Sequence, residues 1–211
     1  MKKNKILIAC EESQAVTKEF RSIGIEAYSC DIQECSGGHP EWHIQGDALR
    51  EAYSGKYKLM IAHPPCTYLA VSGARWMYNK DGSRNEERWK NQQDALDFVR
   101  SLLEAPIDYI ALENPVSVIS SNIRKPDQII QPYMFGEPYE KKTCLWLKNL
   151  PLLEETNLVE PEPRIKYKSG NTLPRWYAKG WGMSKKERSK LRSKTFKGVA
   201  EAIANQWSKV L

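Results

Sequence analysis

Short apolar runs alternate with segments of helical period along the first half of the chain. Lys5–Cys10 (KILIAC) is apolar and β-branched and predicts a buried strand. Ser13–Gly24 carries Ala15, Val16, Phe20 and Ile23 at helical spacing and stops at a glycine. Ile25–Ile32 and Lys58–Ala62 predict two more strands, the second ended by Pro64-Pro65. Arg84–Glu104 predicts a long helix with Trp89, Leu96, Val99 and Leu103 on its apolar face, and Asp108–Leu112 a further strand. Strands alternating with helices imply a mostly parallel sheet with crossover helices on both faces, an α/β fold of Rossmann-like type. Ligands of such sheets bind at the carboxyl ends of the strands. The residues to watch are therefore Cys10-Glu11-Glu12, Asp31, Asp47, the Pro64-Pro65-Cys66 turn and Glu113-Asn114-Pro115.

After Pro115 the texture changes. Asp127–Phe135 and Lys142–Leu147 predict two strands, with antiparallel pairing left open. Pro151–Tyr177 is rich in Pro, Glu and Lys and reads as loop. Ser184–Ser193 predicts a basic helix, capped by Ser184 with Glu187 three residues on. Gly198–Val210 predicts a closing amphipathic helix. No internal repeat is present. The division expected is a catalytic domain of residues 1–147 and 195–211, interrupted by a small basic insert, 148–194.

A chain of 211 residues with 41% hydrophobic and 27% charged residues is long enough to bury one α/β core. No apolar run reaches the roughly 20 residues of a membrane span, and the basic start, Met1–Lys5, precedes an apolar run too short for a signal peptide. Five cysteines, an odd number, fit reduced thiols and a cytoplasmic protein. The formal charge of +6 is uneven: from Pro161 onward 13 Lys or Arg face only Glu162, Glu187 and Glu201. Such a field attracts polyanions.

Two prolines before Cys66 make a rigid turn that can aim the thiol outward. Leu112-Glu113-Asn114-Pro115 places a carboxylate at another strand end. Gln45-Gly46-Asp47, then the strand Leu59–Ala62 into His63-Pro64-Pro65-Cys66, then Leu112–Pro115, occur in the order seen in cytosine-5 DNA methyltransferases, a family this chain resembles. Ser72-Gly73 echoes the Ser-Gly of the mobile loop after the family's cysteine. Phe135-Gly136-Glu137-Pro138, Lys141 and Thr143 resemble its Tyr-Gly-x-Pro-Gln-x-Arg-x-Arg segment, with Tyr139 in place of Gln. Gly198–Ala204 resembles its final motif, beside the cofactor. The compact layout also resembles small phage- or prophage-borne proteins of this kind.

The resemblance implies an S-adenosylmethionine-dependent DNA (cytosine-5) methyltransferase. A Cys66 thiolate adds to carbon 6 of the base, making carbon 5 nucleophilic toward the methyl donor. Glu113 protonates or hydrogen-bonds ring nitrogen 3, with burial against the base raising its pKa to suit. Lys141 steadies charge on the ring. For the cofactor, Asp31 ends the second strand, where an acid holds ribose hydroxyls. Asp47 matches the residue facing the adenine, Pro64 lies on the same rim, and Glu11 or Glu12 can pair with an ammonium group. The first loop, Ala9–Gln14, lacks the family's glycines. Nucleic acid, DNA in the first place, is the expected partner, met by Ser72 and by Lys185, Lys186, Arg188, Lys190, Arg192 and Lys194; Trp176, Tyr177 and Trp181 can stack on bases.

Cys30, Cys35, His39 and His43 have metal-ligand spacing, but the adjoining Asp31, Gly37-Gly38 and Pro40 argue for a loop over the adenine, and no metal is expected. His63 separates the motif from amino-methyltransferases, which carry Asp or Asn there. Two other readings stay open: a catalytically silent nucleic-acid-binding module on the same scaffold, and the same chemistry on RNA or a pyrimidine nucleotide.

Overall fold

The apolar runs lie side by side in one sheet. β1 (Ile6–Ala9), β2 (Ala27–Asp31), β3 (His43–Gln45), β4 (Leu59–Ala62) and β5 (Tyr109–Pro115) are parallel. β6 (Gln128–Ile130) and β7 (Thr143–Lys148) complete it, β7 running antiparallel to both β5 and β6. The strand order is β3-β2-β1-β4-β5-β7-β6. This computed structural model describes residues 4–211, except the side chains of Lys185, Lys186 and Ser189.

Alternate residues of each strand enter opposite layers, because side chains along a strand alternate in direction. Ile6 and Ile8 pack with Val16 and Phe20 of α1 (Ala15–Ser22) and with Val199, Ile203 and Trp207 of α7 (Lys197–Trp207). Leu7 and Ala9 face the other layer, with Ala48 and Ala52 of α2 (Ala48–Ala52) and Leu96, Val99 and Leu102 of α3 (Glu86–Leu103). Each fully buried Leu, Ile, Val or Phe contributes roughly 1.5–3 kcal/mol, so the two layers hold the sheet from both faces. Helix α1 ends where Gly24 takes a left-handed φ of 80°.

Several boundaries differ from the sequence reading. β5 runs on to Pro115 because Glu113, Asn114 and Pro115 pair with Leu145, Cys144 and Thr143. Asp127–Phe135 is strand only over Gln128–Ile130; Pro132, which lacks an N–H, opens a 3-10 turn. Helix α3 buries Leu102 and Gln92 rather than Leu103 and Trp89. After a short α4 (Ile119–Asn122), residues 151–177 contain a hairpin of β8 (Ile165–Lys166) and β9 (Thr172–Leu173), followed by α5 (Arg175–Ala178). The basic helix α6 (Lys185–Ser193) has the reciprocal Ser184–Glu187 cap its sequence predicted. Among the described residues no helix is long and apolar enough to cross a membrane.

Candidate active site

The β4–β5 register builds the centre of the site. Ala62 pairs with Leu112, so the next residues, His63 and Glu113, emerge side by side at the carboxyl ends of the strands. Their side chains meet: His63 Nδ1 lies 3.1 Å from Glu113 Oε2, with only 12% and 19% of the side chains exposed. One residue further, the Asn114 amide donates to the Pro64 carbonyl at 2.9 Å, tying β5 to the Pro-Pro turn. Beyond the prolines Cys66 is exposed, and its carbonyl accepts from Leu69 and Ala70 N–H. Gln92 of α3 donates to the Tyr68 carbonyl and steadies the turn from outside. The strand reversal at β7 delivers Lys141 to the same rim; its Nζ donates to the Lys194 carbonyl at 3.0 Å.

Charge couples these groups. Although Cys66 is exposed, the protein around it partly desolvates the thiol and raises its pKa, the Glu113 carboxylate raises it further, and Lys141 opposes both. Burial on its own favours a neutral Glu113. The hydrogen bond with His63 and the charges of Lys141 and His63 prevail, and its pKa is lowered. Burial likewise favours a neutral His63, but the bond to Glu113 and the charges of Glu113 and Glu11 raise its pKa, against Lys141. The contact therefore favours charge on both partners. His63 Nε2 is buried without a partner beside a cavity of about 20 Å³ that Glu113, Lys141, Thr143 and Lys194 also line.

The sequence reading missed the contribution of His63 because it depends on register, which the spacing of 63 and 113 does not show. It also missed where α5 lies. Tyr177, whose pKa burial raises, feels the charges of Arg192 and Cys66, and the Arg192 guanidinium lies over its ring at 5.3 Å. Lys141 and Tyr139, at the positions of a family Arg and Gln, pack against Phe196 instead, the ring of Tyr139 at 5.3 Å.

A second group of residues lies along the ends of β1, β2 and β3. Cys10 and Gln14 take left-handed backbone, φ 61° and 57°, a region that favours glycine; such conformations cost about 1–3 kcal/mol each. Gln14 recovers bonds, donating to the His39 carbonyl at 2.8 Å and accepting from His39 N–H at 3.1 Å. Gly37 fits against it because a Cβ there would stand 2.5 Å from Gln14. Burial, Asp31, Cys30 and Asp47 push Cys10 up to about 12, so the two aspartates stand close to this loop. Asp31 accepts from Gln33 N–H, and Asp47 caps α2 by accepting from Leu49 N–H. Ile32 between them is 78% exposed. The exposed Ile32, with the carboxylates of Asp31 and Asp47 as acceptors near the same loop, offers the apolar surface and hydrogen-bond acceptors that a nucleoside needs.

The two glutamates of the first loop differ. Glu11 is buried and accepts from Val16 N–H, Thr17 N–H and Thr17 Oγ1, which places its carboxylate on the start of α1. Glu12 is half-buried and accepts from Ser36 Oγ at 3.1 Å. Only Glu12 faces outward as an ammonium partner.

The four residues with metal-ligand spacing go separate ways. Cys30 is buried against the Gly46 carbonyl, and His43 bonds Ser29 and the Gln33 carbonyl. His39 stacks on Trp42 at 3.8 Å. Among the described residues no group of three or more His, Cys, Asp or Glu is placed to hold a metal ion.

Of the basic and aromatic residues the sequence singles out, Tyr177 and Arg192 lie toward Cys66. Ser72 is exposed in the turn Val71–Met77 with Trp76, and the Arg75 guanidinium covers the Trp76 ring at 4.5 Å. Arg192 is exposed and Arg188 half-buried, packed on Gly180; the side chains of Lys185 and Lys186 lie outside the described residues. Trp176 is buried, its indole donating to the Glu140 carbonyl, whereas Trp181 is 55% exposed.

No protein-family model matches the chain, and no curated protein matches it. Solved structures do. A methyltransferase of Entamoeba histolytica aligns with 78% of this chain and 59% of its own at 15% identity and a TM-score of 0.50. A protein described as a DNA modification methyltransferase encoded within an E. coli prophage aligns at 12% identity and a TM-score of 0.47, over 74% and 52%. A DNMT2 variant of Spodoptera frugiperda aligns at 13% and 0.40, over 76% and 55%. The chain thus spans between about half and three fifths of each neighbour's length. The seven-stranded, mostly parallel sheet with helices on both faces is a Rossmann-like α/β fold, shared with the Entamoeba histolytica methyltransferase.

Proposed function

We propose that the protein transfers a methyl group from S-adenosylmethionine to carbon 5 of cytosine in DNA, through a covalent bond to Cys66. The observation that carries this reading is the shared rim of Cys66, Glu113 and Lys141, with Asn114 holding the turn that presents the thiol. S-adenosylmethionine supplies an electrophilic methyl group; Asp31, Ile32, Asp47 and Pro64 would hold it, with Glu12 toward its amino end. The Cys66 thiolate adds to carbon 6. Glu113 meets ring nitrogen 3 as charge develops there, and Lys141 adds a positive field. The base must leave its stack to reach this rim, where Trp76, Tyr177 and the cations around them can receive the strand.

One observation favours a second reading, a silent nucleic-acid-binding protein on the same fold: Glu11 occupies the start of α1. Incubation with labelled S-adenosylmethionine and DNA, RNA or pyrimidine nucleotides in parallel decides between them. Label on carbon 5 of cytosine in DNA is expected. Label on RNA or nucleotide alone moves the substrate, and folded protein that binds DNA yet labels nothing supports the silent module.

A further inference from the structure

The chemistry assigned to Glu113 needs a proton, yet the bond with His63 and the charge of Lys141 hold its pKa down. His63 Nδ1 lies 3.1 Å from that carboxyl. We propose that His63 is a positioning residue that stores the proton Glu113 delivers, so that the two side chains act as one acid toward the base. This deepens the methyltransferase reading and rests on it.

Geometry supports the pairing. His63 N–H bonds to the Ala9 carbonyl at 2.9 Å, and Pro64 follows, so its backbone is fixed between β1 and the turn. The ring reaches Glu113 Oε2 through Nδ1, while Nε2 is buried without a partner. Burial opposes charge on the ring; the bond to Glu113 and the fields of Glu113 and of Glu11 from the β1–α1 loop favour it, against Lys141 from the segment before β7. Glu113 in turn faces Cys66, Lys141 and Cys144 of β7, and Lys194 lines the same cavity.

The step balances on one proton. At rest Nδ1 carries it, donated to Glu113. When Cys66, its thiol proton already released to solvent, forms the sulfur–carbon 6 bond, the carbon 5–carbon 6 π pair moves into the ring. The proton then passes from His63 to the Glu113 carboxyl and on to ring nitrogen 3, leaving a neutral imidazole and an ionised carboxylate. Elimination of the thiolate after methylation and loss of the carbon 5 proton sends it back. A lone buried glutamate would have to be protonated from solvent at each turnover; the pair keeps the proton in place up to the higher pKa of His63.

The test has two arms. The chain has three histidines, so the ring resonances of His63 in isotope-labelled protein are assigned with His63→Gln. The His63 pKa should lie above 6.5 and fall by about one unit or more in Glu113→Gln, as burial is no longer opposed by that carboxylate. Equal titration in both proteins overturns the proposal, and needs no activity. The second arm follows adduct formation with 5-fluorocytosine DNA against pH. His63→Gln should slow it about tenfold at neutral pH and move the alkaline limb of the profile, where the pair loses its proton, down by about one unit. An unchanged profile, with the wild type active, overturns the proposal and leaves the methyltransferase reading intact. A wild type that labels and traps nothing removes both. If His63→Gln does not fold, the titration of wild type against Glu113→Gln still decides, with His39 and His43 assigned by their own variants.

Discussion

Asn114 donates its side-chain amide to the carbonyl oxygen of Pro64 at 2.9 Å, and both residues are buried. The bond joins the end of β5 to the turn that carries Cys66. Asn114→Ala leaves that carbonyl without its donor, and losing a partner in the interior costs about 1–3 kcal/mol. Urea denaturation should show a loss of that size, and the rate of Cys66 addition should fall further than the loss of folded protein accounts for.

The His63–Glu113 pair makes stability depend on pH. The His63 pKa is raised above its ordinary 6.5, so its contribution is complete below that value and is lost as pH rises through the folded pKa. The Glu113 pKa is lowered below 4.5, so its contribution is complete above that value and is lost as pH falls through the folded pKa. Thermal denaturation should therefore separate wild type from His63→Gln most between pH 4.5 and 6.5, with the gap narrowing on either side.

Asp31 ends β2 and stands near Cys10. Asp31→Ala should weaken binding of S-adenosylmethionine and of its demethylated product by about 1–3 kcal/mol, as for a charged hydrogen bond. Calorimetry on the folded variant checks this. Undiminished affinity would move the ribose elsewhere.

Arg192 lies over Tyr177 at 5.3 Å, and Tyr177 feels the charge of Cys66. If this is where a strand enters, Arg192→Ala should weaken DNA binding and reduce the slope of log affinity against log salt by about one. Fluorescence anisotropy over a range of salt concentrations measures both.

Much of this was legible in the sequence. The runs around Ile6, Tyr28, Met60 and Ile110 are apolar because both faces of those strands are buried, and a fully buried parallel strand reads as an apolar run. Ser184 and Glu187 announce a helix start through local chemistry alone. Cys66 and Glu113 stood out because proline and strand-end positions mark a rim. What depends on partners distant in sequence was hidden. His63 meets Glu113 only through the β4–β5 register. The lowered Glu113 pKa follows from that contact and from Lys141, which outweigh burial. The inward turn of Glu11 requires knowing that α1 begins at Ala15, where its N–H groups seek an acceptor. Gly198 read as a motif residue, but its constraint is steric: a Cβ there would meet the Phe135 carbonyl oxygen at 1.8 Å.

The central claim is that Cys66 bonds to the base, and trapping tests it most directly. DNA carrying 5-fluorocytosine is incubated with the protein and S-adenosylmethionine, because fluorine cannot leave as the carbon 5 proton does and the adduct persists. Denaturing electrophoresis and mass spectrometry should show a cross-link that requires the cofactor and maps to Cys66. Cys66→Ser should abolish it, since a serine hydroxyl is scarcely ionised near neutral pH while a thiol is a few per cent thiolate. Substitution of Cys10, Cys30, Cys35 or Cys144 should leave it in place in folded protein. Methylation by Cys66→Ser at the wild-type rate, or a cross-link at another residue, contradicts the account.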